Sequence, residues 1–291
     1  MSSCRQKTLD LVKKLNYPSA SAVEYYNGKI YVMGDDATNL LILDTTLNIV
    51  DSISLIDYSG KRIPKDIKPD LEASALNGDD LFLFGSGSLS PYRNSGWKYN
   101  LKERDSFSID LTPLYLKIKE SGIEQINIEG ACFINGKLIL VNRGNKSYPE
   151  NHLIVTDENF WKHSSFQLSI SSFEPQKDTA SFKGISGLCY SKENDQLIMT
   201  VSTEDTRSAY KDGTIGKSYL WIIPFISGRL GLKTIGPDNI IDLEEIDPRF
   251  KGQKIESATV IEDTKNLMRL VLVADNDDGS STIFKMTIKK I

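Results

Sequence analysis

The sequence contains few of the residues on which disulfide frameworks and thiolate metal sites depend. Its 291 residues include three cysteines and two histidines. Cys4, Cys132 and Cys189 are far apart, their number is odd, and no CxxC pair occurs. This pattern argues against a disulfide framework and against a zinc site. Cys132 and Cys189 lie inside apolar strand patterns, which predicts buried free thiols.

Motifs that identify a reaction are also missing. Neither GxSxG nor HExxH occurs, and the glycine-rich segment at Gly85 lacks the lysine of a phosphate-binding loop. His152 and His163 have no serine or cysteine motif beside them. The segment from Asp275 to Gly279 lacks the glutamate that an EF-hand requires, so we predict a polar turn there. The reaction class therefore has to be sought outside the known catalytic motifs.

Charge and hydropathy give no indication of a nucleic acid or a membrane. The 35 basic and 39 acidic residues give a net charge of -4, which is unlike the basic excess of a nucleic-acid-binding protein. No run of about 18 apolar residues occurs, and the N-terminus lacks the apolar core of a signal peptide. We therefore expect no nucleic-acid or membrane partner and a cytoplasmic protein. The alternative is an exported protein whose targeting segment has been removed.

Five repeated segments account for most of the chain. Each opens with small residues that alternate with apolar ones, passes through a turn, and continues as an apolar strand. Three of the turns are Asn-Gly, the strongest short signal for a β-hairpin: Asn27-Gly28, Asn77-Gly78 and Asn135-Gly136. The segments recur at intervals of 51 to 70 residues and begin at Ser21, Glu72, Glu129, Ser186 and Glu256.

A repeat of this length that contains three or four strands predicts a β-propeller. Apolar residues recur at a spacing of two, which indicates an all-β protein; only Leu114 to Glu120 has a helical pattern. We predict one domain over residues 1–291 with five blades. The last repeat is one strand short, and the segment from Thr8 to Leu15 belongs to no other repeat, so it is predicted to close the ring. The alternative is a sixth blade between Tyr219 and Ile255.

Acidic residues recur where the innermost strands begin. Because these strands all start on one face of a propeller, their first residues surround one mouth of the central channel. Glu72, Glu129 and Glu256 occupy this position. Convergent carboxylates raise one another's pKa unless a cation compensates, and oxygen ligands without histidine or thiolate favour Ca²⁺ or Mg²⁺. We therefore predict a metal site, with pairing to a basic neighbour such as Arg143 as the alternative.

The loops that follow the second strands reach the same face. Long loops on a rigid scaffold often carry binding residues, and basic side chains above an acidic centre could hold an anion against a cation. The expected partner is a small, anionic molecule. The alternative interpretation is an ordinary surface loop composition. The predicted ligand-binding residues are Asp35, Arg93, Arg143, Asn145, Arg207 and Asp275.

The inner-strand starts LEAS (Leu71), IEGA (Ile128), ISGL (Ile185) and IESA (Ile255) share a short pattern. The pattern resembles the inner-strand motif of phytase-like β-propellers, which include calcium-dependent β-propeller phytases and related bacterial proteins of unassigned function. As a repeat pattern, the resemblance covers nearly the whole chain. It implies that the three glutamates face the channel and hold calcium, although Ser21 and Ser186 depart from the family's pattern.

These observations lead to a functional expectation with alternatives. We expect a phytase-like propeller whose acidic site binds Ca²⁺ and which acts as a metal-assisted hydrolase of a phosphate ester or lactone. The main alternative is a non-catalytic propeller that binds a small ligand or a protein with the same face. A third is a glycosidase with two carboxylates across the channel.

Overall fold

The strands form five sheets, each of which is one blade of a propeller. The structure is a computed structural model that describes residues 6–163, 165–176, 182–204 and 215–289. The first strand, β1 (Lys7–Leu15), belongs to the last blade. Blade one contains β2 (Ala20–Tyr26), β3 (Lys29–Gly34), β4 (Asn39–Asp44) and β5 (Ile49–Ser54). Blade two contains β6 (Leu71–Asn77), β7 (Asp80–Gly85), β8 (Ser95–Asn100) and β9 (Ser106–Asp110).

The helix α1 (Thr112–Glu120) connects blade two to blade three and confirms the predicted helical segment. Blade three contains β10 (Ile128–Ile134), β11 (Lys137–Asn142), β12 (His152–Asp157) and β13 (Leu168–Phe173). The next three strands are β14 (Lys183–Ser191), β15 (Gln196–Glu204) and β16 (Ile215–Pro224). After β17 (Thr234–Ile235), the strand β18 (Asn239–Asp242) completes blade four. Blade five contains β19 (Lys254–Asp263), β20 (Leu267–Asp275) and β21 (Ser281–Lys289), together with β1.

The predicted ring closure is confirmed. The strand β1 pairs antiparallel with β21, from Lys7 opposite Ile288 to Leu15 opposite Ser281. The N-terminal segment therefore supplies the outermost strand of the last blade, whose other three strands come from the C-terminal part of the chain. This arrangement joins the two ends of the chain within one sheet and covers an edge of β21 that could otherwise pair with another chain.

The alternative of a sixth blade is wrong. The stretch between Tyr219 and Ile255 contributes the rest of β16, two short strands and the 3₁₀ helices Ile226–Gly228 and Pro248–Phe250. Within it, β17 leaves blade four and pairs in parallel with β13 of blade three. The extra length of this repeat is therefore used to link two neighbouring blades.

The hydrophobic core lies between neighbouring blades. In β11, Leu138 and Leu140 pack with residues of blade two, whereas Ile139 and Val141 pack with residues of blade four. All four side chains are fully buried. A strand that faces a blade on each side needs apolar residues at successive positions, which explains the near-continuous apolar runs in the sequence.

The turns and cysteines also agree with the sequence. Asn27 and Gly28 have φ angles of 48° and 80°, as the Asn-Gly hairpin signal predicts. Cys132 and Cys189 are buried free thiols. Across the described ranges, no helix combines the length and the apolar character needed to cross a bilayer.

Every inner strand carries a β-bulge at the same place. The pairing with the second strand of the blade shifts by one residue there, which leaves one inner-strand residue without a partner in the ladder. Each shift falls within the first residues of its repeat. The residues at the five bulges are Ser21, Glu72, Glu129, Ser186 and Glu256.

The residue after each bulge is small because the inner strands approach one another closely. A Cβ on Gly187 would lie 2.5 Å from the backbone oxygen of Glu256 and 2.6 Å from Oγ1 of Thr200. We therefore expect Gly187→Ala to lower the free energy of unfolding by about 2 kcal/mol. The control is Gly228→Ala, whose Cβ would meet no atom within 4 Å. Equal losses in urea denaturation of the two variants would contradict this explanation.

Candidate functional site

Three carboxylates from two blades meet at the channel mouth. Asp35 follows β3 of blade one, Asp70 directly precedes β6 of blade two, and Glu72 is the bulge residue of that strand. Each offers an oxygen that lies within 4.8 Å of those of the other two. Among the described residues, this is the one group of three or more such ligands. We call it the acidic cluster.

Asp70 pairs with two cationic side chains beside the cluster. Its carboxylate lies 2.5 Å from Nη1 of Arg93 and 2.7 Å from Nζ of Lys68, and it accepts a hydrogen bond from Ser86. Its φ of 56° is in the left-handed region, which is uncommon for a non-glycine residue. Backbone strain of this kind persists where the surroundings fix it, and it concentrates at functional sites.

Lys68 bridges two members of the cluster. Its buried ammonium group contacts both Asp35 and Asp70. The protein therefore supplies one positive charge to the cluster itself. Sequence analysis missed Lys68 and Asp70; the available signal was that two charged residues stand directly before a strand that is otherwise buried.

Glu72 is the member of the acidic cluster with the fewest hydrogen-bond partners. Its carboxylate receives no hydrogen bond from any described residue. Burial raises its pKa well above the usual range, and the charges of Asp70, Asp35 and Glu129 raise it further. The charge of Lys68 opposes this shift, and a bound cation would favour the ionised form further.

Burial also raises the pKa values of Asp35 and Asp275. Burial raises the pKa of Asp35 to about 6, against the opposing effect of Lys68. Burial also raises the pKa of Asp275 to about 7, and the charges of Asp35 and Glu256 add to this effect. Of these two predicted ligand-binding residues, Asp35 is therefore a member of the acidic cluster, and Asp275 lies close enough to Asp35 and Glu256 for their charges to raise its pKa.

The other two predicted glutamates each have a basic neighbour. Glu129 accepts a hydrogen bond from Asn127 at 2.6 Å and lies 3.6 Å from Nη1 of Arg143. Glu256 lies 2.8 Å from Nζ of Lys254, while its second oxygen, Oε2, is buried without a hydrogen-bond partner. The alternative of pairing with a basic residue therefore describes Glu129 and part of Glu256, but not Glu72.

The predicted basic residues are built into the wall of the site. The side chain of Arg93 is 3% exposed and pairs with Asp70, and that of Arg143 is 6% exposed and also donates to Oγ of Ser202. Arg143 and Asn145 line a cavity of about 280 Å³ above blade three. Arg207 lies outside the described residues.

Around the mouth, the described side chains carry more negative than positive charge. The excess and the raised pKa values indicate that the site can accept a cation or protons. Its ligands are all carboxylates, the chemistry that Ca²⁺ and Mg²⁺ prefer. The carboxylates are Asp35, Asp36, Asp70, Glu72, Glu129, Glu256 and Asp275. The cationic side chains paired with them are Arg62, Lys68, Arg93, Arg143 and Lys254.

The ring of five blades and the channel mouth define a five-bladed β-propeller with a buried charged site. The chain belongs to the family of unknown function DUF6929, whose model matches residues 16–288. No curated protein sequence matches it significantly.

Solved structures are similar to this chain at low sequence identity. The glutaminyl cyclase of Myxococcus xanthus has a TM-score of 0.54 and 11% identity, with coverage of 99% of this chain and 98% of that chain. A streptogramin B lyase has a TM-score of 0.43 and 10% identity, with coverage of 96% and 98%. A member of the DUF4221 family from Bacteroides vulgatus has a TM-score of 0.36 and 12% identity, with coverage of 91% and 76%. At 11% identity, the likeness to the glutaminyl cyclase concerns the fold alone.

Proposed function

We propose that the channel mouth binds one hard divalent cation, Ca²⁺ by its ligand chemistry, and that the protein is a metal-assisted hydrolase of a small phosphate ester or lactone. One observation carries this proposal. Asp35, a member of the acidic cluster, has a buried carboxylate oxygen, Oδ1, without a hydrogen-bond partner among the described residues. Buried carboxylate oxygens without partners are costly, and a cation removes that cost.

Further unpaired oxygens support a cation at this place. Oε2 of Glu256 is also buried without a partner, and Glu72 in the acidic cluster receives no hydrogen bond from any described residue. We assign Glu72 and Asp35 as the first ligands, and Glu129 and Glu256 remain the predicted additional ones. When bound, the cation would polarise the substrate and lower the pKa of bound water. The resemblance to phytase-like propellers favours calcium among the hard cations.

The protein's own residues would orient the substrate. Asp70 holds Lys68 and Arg93 in place, which keeps positive charge next to the cluster. Arg143 and Asn145 extend from the mouth into the cavity above blade three, where an anionic substrate group could approach them. Arg207 and Asp275 remain predicted contacts for the same ligand.

A non-catalytic binding propeller is the second candidate, and Lys68 favours it. The ammonium group of Lys68 already lies against two of the three cluster carboxylates. A mouth that its own lysine partly neutralises could bind a small ligand or a protein without a metal. This candidate predicts no turnover over a broad substrate panel, whether or not a cation occupies the mouth.

The decisive experiment combines metal content, stability and turnover. We expect a near-stoichiometric divalent cation in the purified protein by mass spectrometry. We also expect EDTA to lower the melting temperature and Ca²⁺ to restore it, because a ligand that binds only the folded state at about 100 times its Kd adds about 2.7 kcal/mol.

Turnover is tested on phosphate esters and lactones, with a glutaminyl peptide included because of the fold likeness alone. Chelator-sensitive hydrolysis would support the hydrolase. A bound cation without turnover would favour the binding propeller, and no cation with no thermal shift would contradict the metal site.

A further inference from the structure

An aromatic groove lies between blades one and two, on the other side of the segments that form the acidic cluster. It has a volume of about 370 Å³, within the range of small-molecule sites. Its wall includes three aromatic side chains, Tyr58, Tyr92 and Trp97, and one carboxylate, Asp57. We call it the aromatic groove.

Two segments build the groove and the acidic cluster together. Ile67 and Pro69 line the groove, whereas Lys68 and Asp70, which alternate with them, belong to the charged mouth. In the second segment, Tyr92 lines the groove and the next residue, Arg93, pairs with Asp70. Because buried ion pairs hold both segments, the groove wall is fixed by the same contacts that organise the mouth.

The aromatic side chains are unusually open to solvent. Tyr58 is 37% exposed and Tyr92 is 49% exposed, and Ile67 beside them is 44% exposed. Large apolar side chains that are exposed together around one groove indicate a binding site more strongly than the same residues scattered over a surface. Trp97 is half-buried, and its indole packs against the core between blades one and two.

The described residues that line the groove carry negative charge and no positive charge, because they include Asp57 but no lysine or arginine. The carboxylate of Asp57 is exposed and has no hydrogen-bond or ion-pair partner among the described residues. The faces of tyrosine and tryptophan rings are also electronegative, and they attract cations within about 6 Å of the ring centre.

These features favour an organic cation over other small molecules. An anion would be repelled by Asp57, and a neutral apolar molecule would make no use of its charge. A compact metal ion would lose its hydration shell against the apolar wall formed by Ile63, Ile67 and Pro69. A quaternary ammonium group has a positive charge and an apolar surface, which is the chemistry that aromatic cages recognise.

We propose that the aromatic groove binds a small quaternary ammonium compound, with Tyr58, Tyr92 and Trp97 around the cation and Asp57 as its counter-charge. The site is distinct from the acidic cluster and does not depend on whether that cluster holds a metal. Its ligand is a free small molecule, and a trimethyl-lysine peptide is the competing source of the same group.

The test uses choline and its neutral carbon isostere, 3,3-dimethyl-1-butanol. Isothermal titration calorimetry with the full chain should detect choline binding, and binding of the neutral isostere should be at least about tenfold weaker, since the isostere lacks the positive charge that the aromatic faces and Asp57 attract. Raising the salt concentration should weaken choline binding. Equal binding of both compounds would overturn the proposal, as would binding of neither.

Point variants test whether choline binds in the aromatic groove. We expect Tyr92→Leu, Tyr58→Leu and Asp57→Asn each to weaken choline binding by about threefold to tenfold. Tyr148→Leu is the control, because Tyr148 is a similarly exposed tyrosine (40%) in the loop above blade three. The tyrosines are exposed, so these changes should leave the melting temperature nearly unchanged. Choline binding that all three groove variants retain would also overturn the proposal.

A further titration tests whether the quaternary ammonium group belongs to a free small molecule or to a trimethyl-lysine peptide. A trimethyl-lysine peptide that binds at least tenfold more tightly than choline would replace the small-molecule ligand with a peptide. Parallel titrations in EDTA and in Ca²⁺ keep the two sites apart: choline binding in both conditions supports this site even if the metal site fails.

Discussion

Glu72→Gln is expected to stabilise the protein in EDTA and to abolish its response to Ca²⁺. Glutamine has the shape of the protonated glutamate but cannot ionise, so the variant removes a buried charge that burial, Asp70, Asp35 and Glu129 all disfavour. We expect a gain of roughly 1–3 kcal/mol at pH 8, or roughly 5 °C in melting temperature. A mutation that stabilises the protein and removes metal binding is hard to explain by misfolding.

The pH dependence gives the same test a second readout. Asp35 and Asp275, with pKa values of about 6 and about 7, are raised above their unfolded values, and so is Glu72. Protonation of such groups favours the folded state, so their stabilising effect is complete at low pH and is lost as the pH rises through the folded pKa values. In EDTA, the melting temperature should therefore fall between pH 5 and pH 8.

Two other groups, Glu24 and His152, also contribute to this profile. Burial raises the pKa of Glu24 to about 8, which acts in the same direction. Burial lowers the pKa of His152, which acts in the opposite direction as the pH falls below about 6.5. Saturating Ca²⁺ should flatten the wild-type profile, since the cation favours the ionised carboxylates.

The control for Glu72→Gln is Glu103→Gln. The side chain of Glu103 is 69% exposed, so its replacement should change neither the melting temperature in EDTA nor the Ca²⁺ response. Thermal melts of wild type and both variants, in EDTA and in Ca²⁺ at pH 5, 7 and 8, make the comparison. Retention of the Ca²⁺ response by Glu72→Gln would contradict our assignment of the ligand.

A chain without residues 1–14 is expected to lose a large part of its stability, because the ring is then open. The deletion removes almost the whole ladder between β1 and β21 and takes away Leu9 and Val12, which pack against the core between blades four and five. We expect a loss of roughly 3–5 kcal/mol, a large share of the 5–15 kcal/mol that stabilises most domains. Urea denaturation followed by circular dichroism measures this loss.

A point variant tests the closure where the deletion fails to fold. Val12→Asp places a charge on the packed side of β1 and should cost roughly 2–3 kcal/mol. Leu11→Asp is the control, because Leu11 is 38% exposed on the same strand. A synthetic peptide of residues 6–15 should restore part of the lost stability to the deletion variant. Equal stability of the Val12 and Leu11 variants would contradict a closing role for β1.

Much of the architecture was predictable because burial is encoded locally. Successive central residues of β11 pack alternately against blade two and blade four. All of them are therefore apolar, and the sequence LILV shows this as a continuous apolar run. The Asn-Gly turns and the unpaired N-terminal strand could be identified in the same way. The alternative of a sixth blade was wrong because a long repeat has no local sequence feature that distinguishes a new blade from a connection such as the one that contains β17.

The repeat also placed the three glutamates at equivalent positions, but it could not predict their environments. Glu129 pairs with Arg143 and Glu256 pairs with Lys254, whereas Glu72 has no such partner and lies beside Asp35 and Asp70. The approach of Asp35 to Glu72 joins two blades, whereas Arg143 follows the second strand of the blade that contains Glu129, and Lys254 lies on the same strand as Glu256. The distances in these contacts depend on the ring radius, on the turn of each loop and on the bulges, none of which leaves a periodic pattern.

The sequence by itself thus determined the strands, their faces, the closure and the channel mouth as the place of a charged site. Only the tertiary structure decided which charges meet there, and that the segments carrying Lys68, Asp70 and Arg93 also form an aromatic groove. The physical reason is one of range. Burial and turn preferences act between residues close in the chain, while a site depends on ångström-scale distances between side chains that the folded ring brings together.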